Sequence, residues 1–114
     1  MRVGIVGAGT MGEVHAAAWR NVGAELAGCT SIRRAQSEDL AQRYGMIPYA
    51  DCQELINDVD IVDICTPTQQ HKPMVIEAAA AKKHVFCEKP IALTVQDAQA
   101  MIDAWAGIKH RSMV

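Results

Sequence analysis

Arg2-Val3-Gly4-Ile5-Val6-Gly7-Ala8-Gly9-Thr10-Met11-Gly12 runs an apolar strand pattern straight into a glycine-rich turn. Val3, Ile5 and Val6 supply the strand, and Met11, Val14, Ala18, Trp19 and Val22 recur at helical spacing behind the turn. A lone G-x-G-x-x-G means little. Between a strand and a helix it is the fingerprint of a dinucleotide site. Gly7 permits the tight turn, Gly9 removes the side chain that would meet a pyrophosphate, and Gly12 lets helix and strand pack closely. The helix then turns its unpaired N–H groups and the positive end of its dipole toward the anion. Gly7, Ala8, Gly9, Thr10, Met11 and Gly12 are therefore candidate cofactor-binding residues.

Outward from that stretch, apolar β-rich runs alternate with alanine-rich helical ones. Strands are expected at Arg2–Val6, Glu25–Thr30, Ile61–Cys65, His84–Cys87 and Ile108–Val114, with a short one near Ile47–Tyr49. Helices are expected around Met11–Asn21, Ala35–Tyr44, Cys52–Ile56, Lys72–Ala81 and Val95–Ala106. Gly45 and Gly107 suit helix C-termini, and Thr94 suits an N-cap. Strict alternation implies a parallel sheet with right-handed crossovers. The nearly continuous apolar run Ile61-Val62-Asp63-Ile64-Cys65 fits a strand covered on both faces. The expected fold is thus α/β, a doubly wound parallel sheet of Rossmann type forming one three-layer domain over residues 1–114.

The bulk numbers agree. The chain has 114 residues, 50% hydrophobic and 21% charged, enough for one real core. Its 11 basic and 13 acidic residues give a net charge of −2, which offers nucleic acid no basic surface. No apolar run approaches the ~20 residues of a membrane span, and there is no signal-peptide pattern, so a cytoplasmic location is expected. Cys29, Cys52, Cys65 and Cys87 form no C-x-x-C pair. Without close ligand pairs no metal is expected. Cys29, Cys65 and Cys87 read instead as small hydrophobes in strands.

Two further motifs go beyond the generic fold. Thr66-Pro67-Thr68-Gln69-Gln70-His71 follows one strand, and Lys83-His84-Val85-Phe86-Cys87-Glu88-Lys89-Pro90 spans the next and the turn after it. From Arg2 to about Gly107 the chain resembles the Gfo/Idh/MocA oxidoreductases, and the second of these motifs is the most specific part of the likeness. The resemblance implies hydride transfer between a nicotinamide coenzyme and a sugar, polyol or related CH–OH substrate. It makes Lys89 the catalytic candidate, orienting or polarising the substrate oxygen, with the Lys89–Pro90 bond often cis in relatives. Thr66, Pro67, His71 and Glu88 join the cofactor-binding candidates. His71 either caps its helix or packs on a ribose, and Glu88 meets the nicotinamide ribose or orders its own loop. His15, His84 and His110 read as ordinary helix or strand residues. Thr68 and Gln70 depart from the family pattern, which commonly has Asn and an apolar residue there.

An NAD-preferring site carries an acid at the end of the second strand, for the ribose 2′-hydroxyl. Here that place holds Ser31, nineteen positions after Gly12, and no carboxylate occurs before Glu38. With Arg33 and Arg34 beside it, Ser31 suits a 2′-phosphate, since guanidinium binds phosphate oxygens bidentately. NADP(H) is expected over NAD(H), unless both arginines simply stand in solvent at the start of the next helix.

By resemblance a second domain carries the substrate pocket and an acid–base group, and the chain ends where the sixth strand is expected. The isolated chain is therefore expected to bind cofactor without full turnover. Trp105, Ile108, Met113 and Val114 would face the missing half, and homo-oligomers are expected from that apolar surface. A free-standing nucleotide-binding sensor or subunit is the other reading. A methyltransferase is disfavoured, since it gives no reason for the Thr66–His71 and Glu88–Pro90 motifs.

Overall fold

In a computed structural model, which describes residues 1–106 and 112–113, the elements alternate as β1 (Arg2–Val6), α1 (Thr10–Asn21), β2 (Glu25–Thr30), α2 (Arg34–Tyr44), β3 (Ile47–Pro48), α3 (Cys52–Asp58), β4 (Ile61–Ile64), a 3₁₀ turn (Thr68–Gln70), α4 (His71–Ala80), β5 (His84–Cys87), α5 (Val95–Ala106) and β6 (Ser112–Met113). The six strands pair in the order β3-β2-β1-β4-β5-β6, all parallel. Strand order therefore reverses between β1 and β4, which is where open α/β sheets bind ligands beyond the strands' carboxyl ends.

Two apolar layers cover the sheet. Leu55, Ile56 and Val59 around α3, Val75 and Ala78 of α4 and Met101 of α5 pack with Val62, Ile64 and Val85 on one face. Ala16 of α1 and Leu40 and Ala41 of α2 pack with Ile5 and Cys29 on the other. Burying each such Leu or Ile contributes about 1.5–3 kcal/mol. Local signals end the helices as the sequence suggests. Gly45 stops α2 in the left-handed region at φ 69°, and the Thr94 hydroxyl accepts a bond from the Asp97 N–H, 3.0 Å away.

The buried side of α1 differs from the expected apolar set. Gly12 and Ala16 are its buried residues, whereas Met11, Val14 and Val22 are 40%, 52% and 76% exposed. A Cβ at Gly12 would overlap the Gly7 carbonyl oxygen, so α1 sits too near β1 for large side chains at its first turn. Ile56 is not the last residue of α3, which runs on to Asp58. Cys65 falls just past β4, although its N–H still donates to Val6 O at 2.7 Å. Trp105, expected to face outward, is half-buried against the α3/α4/α5 layer. Gly107, Ile108, His110 and Val114 lie outside the described residues, as does the side chain of Met113.

Candidate functional site

The turn after β1 has the geometry its glycines permit. Gly7 takes φ +103°, and a Cβ there would stand 2.8 Å from the Cys65 carbonyl. Only glycine lets the β1 and β4 ends approach so closely. A Cβ at Gly9 would meet nothing within 4 Å, so that side of the turn is open. No side chain caps the N-terminus of α1, which leaves first-turn N–H groups free for an anion.

A cavity of about 530 Å³ lies against this turn. Gly7, Ala8 and Gly9 form one edge, Thr66, Pro67 and Gln70 a second, and Ser31, Arg33 and Gln36 a third, with Cys52 and Met74 between them. These edges come from the ends of β1, β4 and β2, the convergence the topology requires. Thr66 Oγ1 is buried on this wall with no hydrogen-bond partner. An unpaired buried hydroxyl is costly and marks a place for a polar ligand atom. The open glycine turn, the uncapped helix and this orphaned hydroxyl fit a dinucleotide.

At the β2 end the cavity is lined by Ser31, Ile32, Arg33 and Gln36 and carries no acid. Arg33 is the one charged residue among its described lining residues. The Ser31 hydroxyl donates to Gln36 Oε1 at 3.3 Å, while the Thr30 hydroxyl is taken up by the Tyr49 carbonyl at 2.8 Å. Arg34 is not brought to this wall. It pairs with Glu38 along α2 at 2.7 Å, as an i,i+4 pair does. Gln36, which had no sequence motif to flag it, stands beside Arg33 instead.

His71 is buried, 1% exposed, with Nε2 2.9 Å from the Thr66 carbonyl and Nδ1 3.2 Å from the Ile91 carbonyl. Its ring is a strut between the loops after β4 and β5. Thr10 and Met11 are exposed on the first turn of α1, outside the cavity wall. Lys89 is exposed at the end of β5, and its bond to Pro90 is cis.

The structure also gathers a group that the sequence reading left as ordinary residues. Two-residue alternation puts Val62 and Ile64 of β4 on the α3/α4 face and Asp63 on the α1 face. There the fully buried Asp63 accepts from Trp19 Nε1 at 2.7 Å and from the Cys65 thiol at 3.4 Å. His15 Nδ1 lies 2.9 and 2.8 Å from its two oxygens. The other ring nitrogen, Nε2, lies 2.7 Å from Oε2 of Glu88. Phe86, paired across the sheet with Asp63, meets the His15 ring edge-on at 5.6 Å. The bond to Asp63 raises the His15 pKa above its ordinary value; burial opposes this, and the charges of Asp63 and Glu88 add to it. Burial pushes the Cys65 thiol far up, helped by Asp63. Donor atoms of His15, Asp63 and Cys65 come within 4.8 Å of one another, a grouping no local spacing announces; their mutual hydrogen bonds account for it.

Comparison with known proteins settles what kind of fold this is. A family model described as an oxidoreductase family with an NAD-binding Rossmann fold, GFO_IDH_MocA, matches residues 1–114. The chain belongs to this family. Among curated members, myo-inositol 2-dehydrogenase of Thermotoga maritima is 38% identical over 107 residues, covering 90% of the chain and 32% of the relative. Inositol 2-dehydrogenase of Rhizobium meliloti is 37% identical, over the whole chain and 35% of its own length. Among solved structures, the WlbA dehydrogenase of Chromobacterium violaceum, in complex with NADH and UDP-GlcNAcA, superposes at TM-score 0.93 with 30% identity, covering the whole chain and 34% of that protein. Levoglucosan dehydrogenase, in complex with NADH and L-sorbose, gives 0.88 with 30% identity over 98% of the chain and 33% of its own. The chain spans about a third of the length of these Gfo/Idh/MocA relatives. Among its described residues no helix is long and apolar enough to cross a membrane.

Proposed function

We propose that the chain is the nicotinamide-dinucleotide-binding portion of an oxidoreductase that transfers hydride to or from a sugar, polyol or related CH–OH substrate. The observation that carries this reading is the convergence of the glycine turn, the Thr66-Pro67 edge and the Ser31–Gln36 edge on one cavity at the reversal of strand order. A bound nicotinamide would supply the hydride acceptor or donor. The chain's own residues bind and orient: Gly7, Ala8, Gly9 and the first turn of α1, with Thr10, Met11 and Gly12, take the pyrophosphate, and Thr66 and Pro67 wall the cleft. Lys89 stands at the end of the neighbouring strand, where an ammonium stabilises negative charge developing on a substrate oxygen.

The preferred coenzyme in this reading is NADP(H). Three neutral or cationic groups, Ser31, Arg33 and Gln36, line the β2 end of the cavity without an acid. A 2′-phosphate gains donors there and meets no repulsion. Isothermal titration with all four coenzyme forms tests this: tighter NADP(H) binding is expected, and tighter NAD(H) binding overturns the preference.

Lys89 by itself does not both hold a substrate and accept its proton, two separate demands of hydride transfer. In this reading the 114 residues alone bind coenzyme and do not turn over polyols. Robust reduction of NADP⁺ by inositol or glucose, followed by absorbance, would contradict it.

A further inference from the structure

We propose that His15 is a positioning residue for the nicotinamide half of the cleft, clasping Glu88 to Asp63 so that the Glu88-Lys89-Pro90 turn is held in one place. The inference rests on the dinucleotide reading above and goes beyond it, since His15 lines neither the cavity nor the glycine turn. Its ring is 13% exposed, between a carboxylate that is fully buried and one that is 23% exposed. Three elements meet there. α1 supplies His15 and Trp19, the end of β4 supplies Asp63 and Cys65, and the end of β5 supplies Glu88, with Phe86 closing the side.

The chemistry of the contacts fixes the ring's state. Carboxylates only accept hydrogen bonds, and a neutral imidazole donates from one nitrogen alone. With both carboxylates ionised, a ring that has their oxygens within 2.9 Å of Nδ1 and within 2.7 Å of Nε2 carries a proton on both. The titratable groups facing it are Asp63 and Cys65 from β4 and Glu88 from β5; the thiol, 3.3 Å from Nδ1, stays neutral. A single cation thus donates to a carboxylate on each side, leaving the trio at a net charge of −1, and ties the β5 turn to the helix that begins at the phosphate site. Lost protonation leaves one donated bond where there were two, so the ring no longer clasps Asp63 and Glu88 together, and Glu88 is the residue bonded directly to Lys89.

The clasp has a selective consequence. Glu88 and Lys89 leave β5, on the far side of β4 from Ser31 and Arg33. Release of the clasp disturbs the nicotinamide end and spares the adenosine end. Dissociation constants for NADPH and for adenosine 2′,5′-bisphosphate, which carries the phosphate end without nicotinamide, separate the two. For His15→Asn we expect NADPH to weaken by about tenfold, roughly the loss of one charge-assisted bond. Binding of the bisphosphate should stay within about twofold. NADPH affinity of the unsubstituted chain should fall as pH rises through the His15 titration, and His15→Asn should flatten that fall. Nitrogen NMR of the imidazole should show both ring nitrogens protonated at neutral pH, with Glu88→Gln lowering the pH at which the proton leaves.

Equal weakening of both ligands would reduce His15 to a structural residue and overturn the proposal, as would a neutral ring at neutral pH. Should His15→Asn fail to fold by circular dichroism, Glu88→Gln carries the NMR arm. If the unsubstituted chain bound neither ligand and no NADH either, the dinucleotide reading would fall and the clasp with it. Binding of both ligands with an unchanged ratio in His15→Asn would remove the clasp alone.

Discussion

Nε2 of His15 lies 2.7 Å from Oε2 of Glu88, a contact between residues 73 positions apart. It joins the helix that opens at the glycine turn to the turn that carries Lys89. The ring thereby bridges α1 and the turn after β5, with Asp63 as its buried anchor.

That link sets a pH dependence of stability. The folded His15 pKa is raised by the Asp63 bond, despite burial, above an unfolded value of about 6.5. A raised pKa means the folded state holds the proton more tightly. The stabilisation is complete below the unfolded value and is lost as pH rises through the folded one. Urea midpoints measured from about pH 6 to about pH 9 should fall across this window. In His15→Asn the slope below about pH 8, where the thiols are still protonated in both states, should flatten, and the midpoint should correspond to a loss of about 3 kcal/mol, because a buried carboxylate is left short of a partner. A flat profile in the unsubstituted chain would contradict the pairing.

Gly9 and Gly12 should separate binding from folding. A Cβ at Gly9 meets nothing within 4 Å, and its φ of −84° is ordinary. Gly9→Ala should fold with a change of at most about 1 kcal/mol while weakening coenzyme binding by on the order of tenfold, since the methyl group enters the phosphate approach. A Cβ at Gly12 instead strikes the Gly7 backbone, so Gly12→Ala should cost about 2 kcal/mol or more in stability. Thermal melts and titration calorimetry read both; equal effects of the two substitutions would refute the assignment.

Much of this was legible locally. The bounds of β1, β2, β5 and α5 coincide with those read from the sequence, because strong apolar runs end at glycines or polar turns there. The glycine turn was legible for the same reason. His15, Asp63 and Trp19 were not, since their partners lie 44 to 73 positions away and only strand order brings them together. One signal was present: Asp63 sits inside an apolar strand covered on both faces, and a buried carboxylate demands a partner. The helical spacing of Met11, Val14 and Val22 does not mark the buried side of α1, because close approach at Gly12 selects small residues over large ones.

Ser31→Asp should reverse coenzyme choice. A carboxylate beside the Arg33–Gln36 edge repels a 2′-phosphate and accepts the 2′-hydroxyl of NAD(H). NADP(H) affinity should drop at least about tenfold and NAD(H) affinity should rise. Unchanged selectivity would show that this edge does not read the ribose.

The cysteines should be slow to alkylate in the folded chain. Burial raises the Cys29 and Cys52 thiols from 9.0 to about 11, and that of Cys87 to about 12. A higher thiol pKa leaves less thiolate at neutral pH, so reaction with iodoacetamide should be on the order of 100-fold slower than in urea. It should speed up only as pH climbs toward those values. Cys52 lines the cavity, and NADPH should protect it further. Mass spectrometry that found Cys52 modified as fast in the folded as in the unfolded chain would contradict this.

Titration calorimetry of NADPH into the folded 114-residue chain tests the central claim most directly. A single site with measurable heat, weakened in Gly9→Ala at unchanged stability, is the predicted result. Folded protein that takes up neither NADP(H) nor NAD(H) would contradict the account at its root.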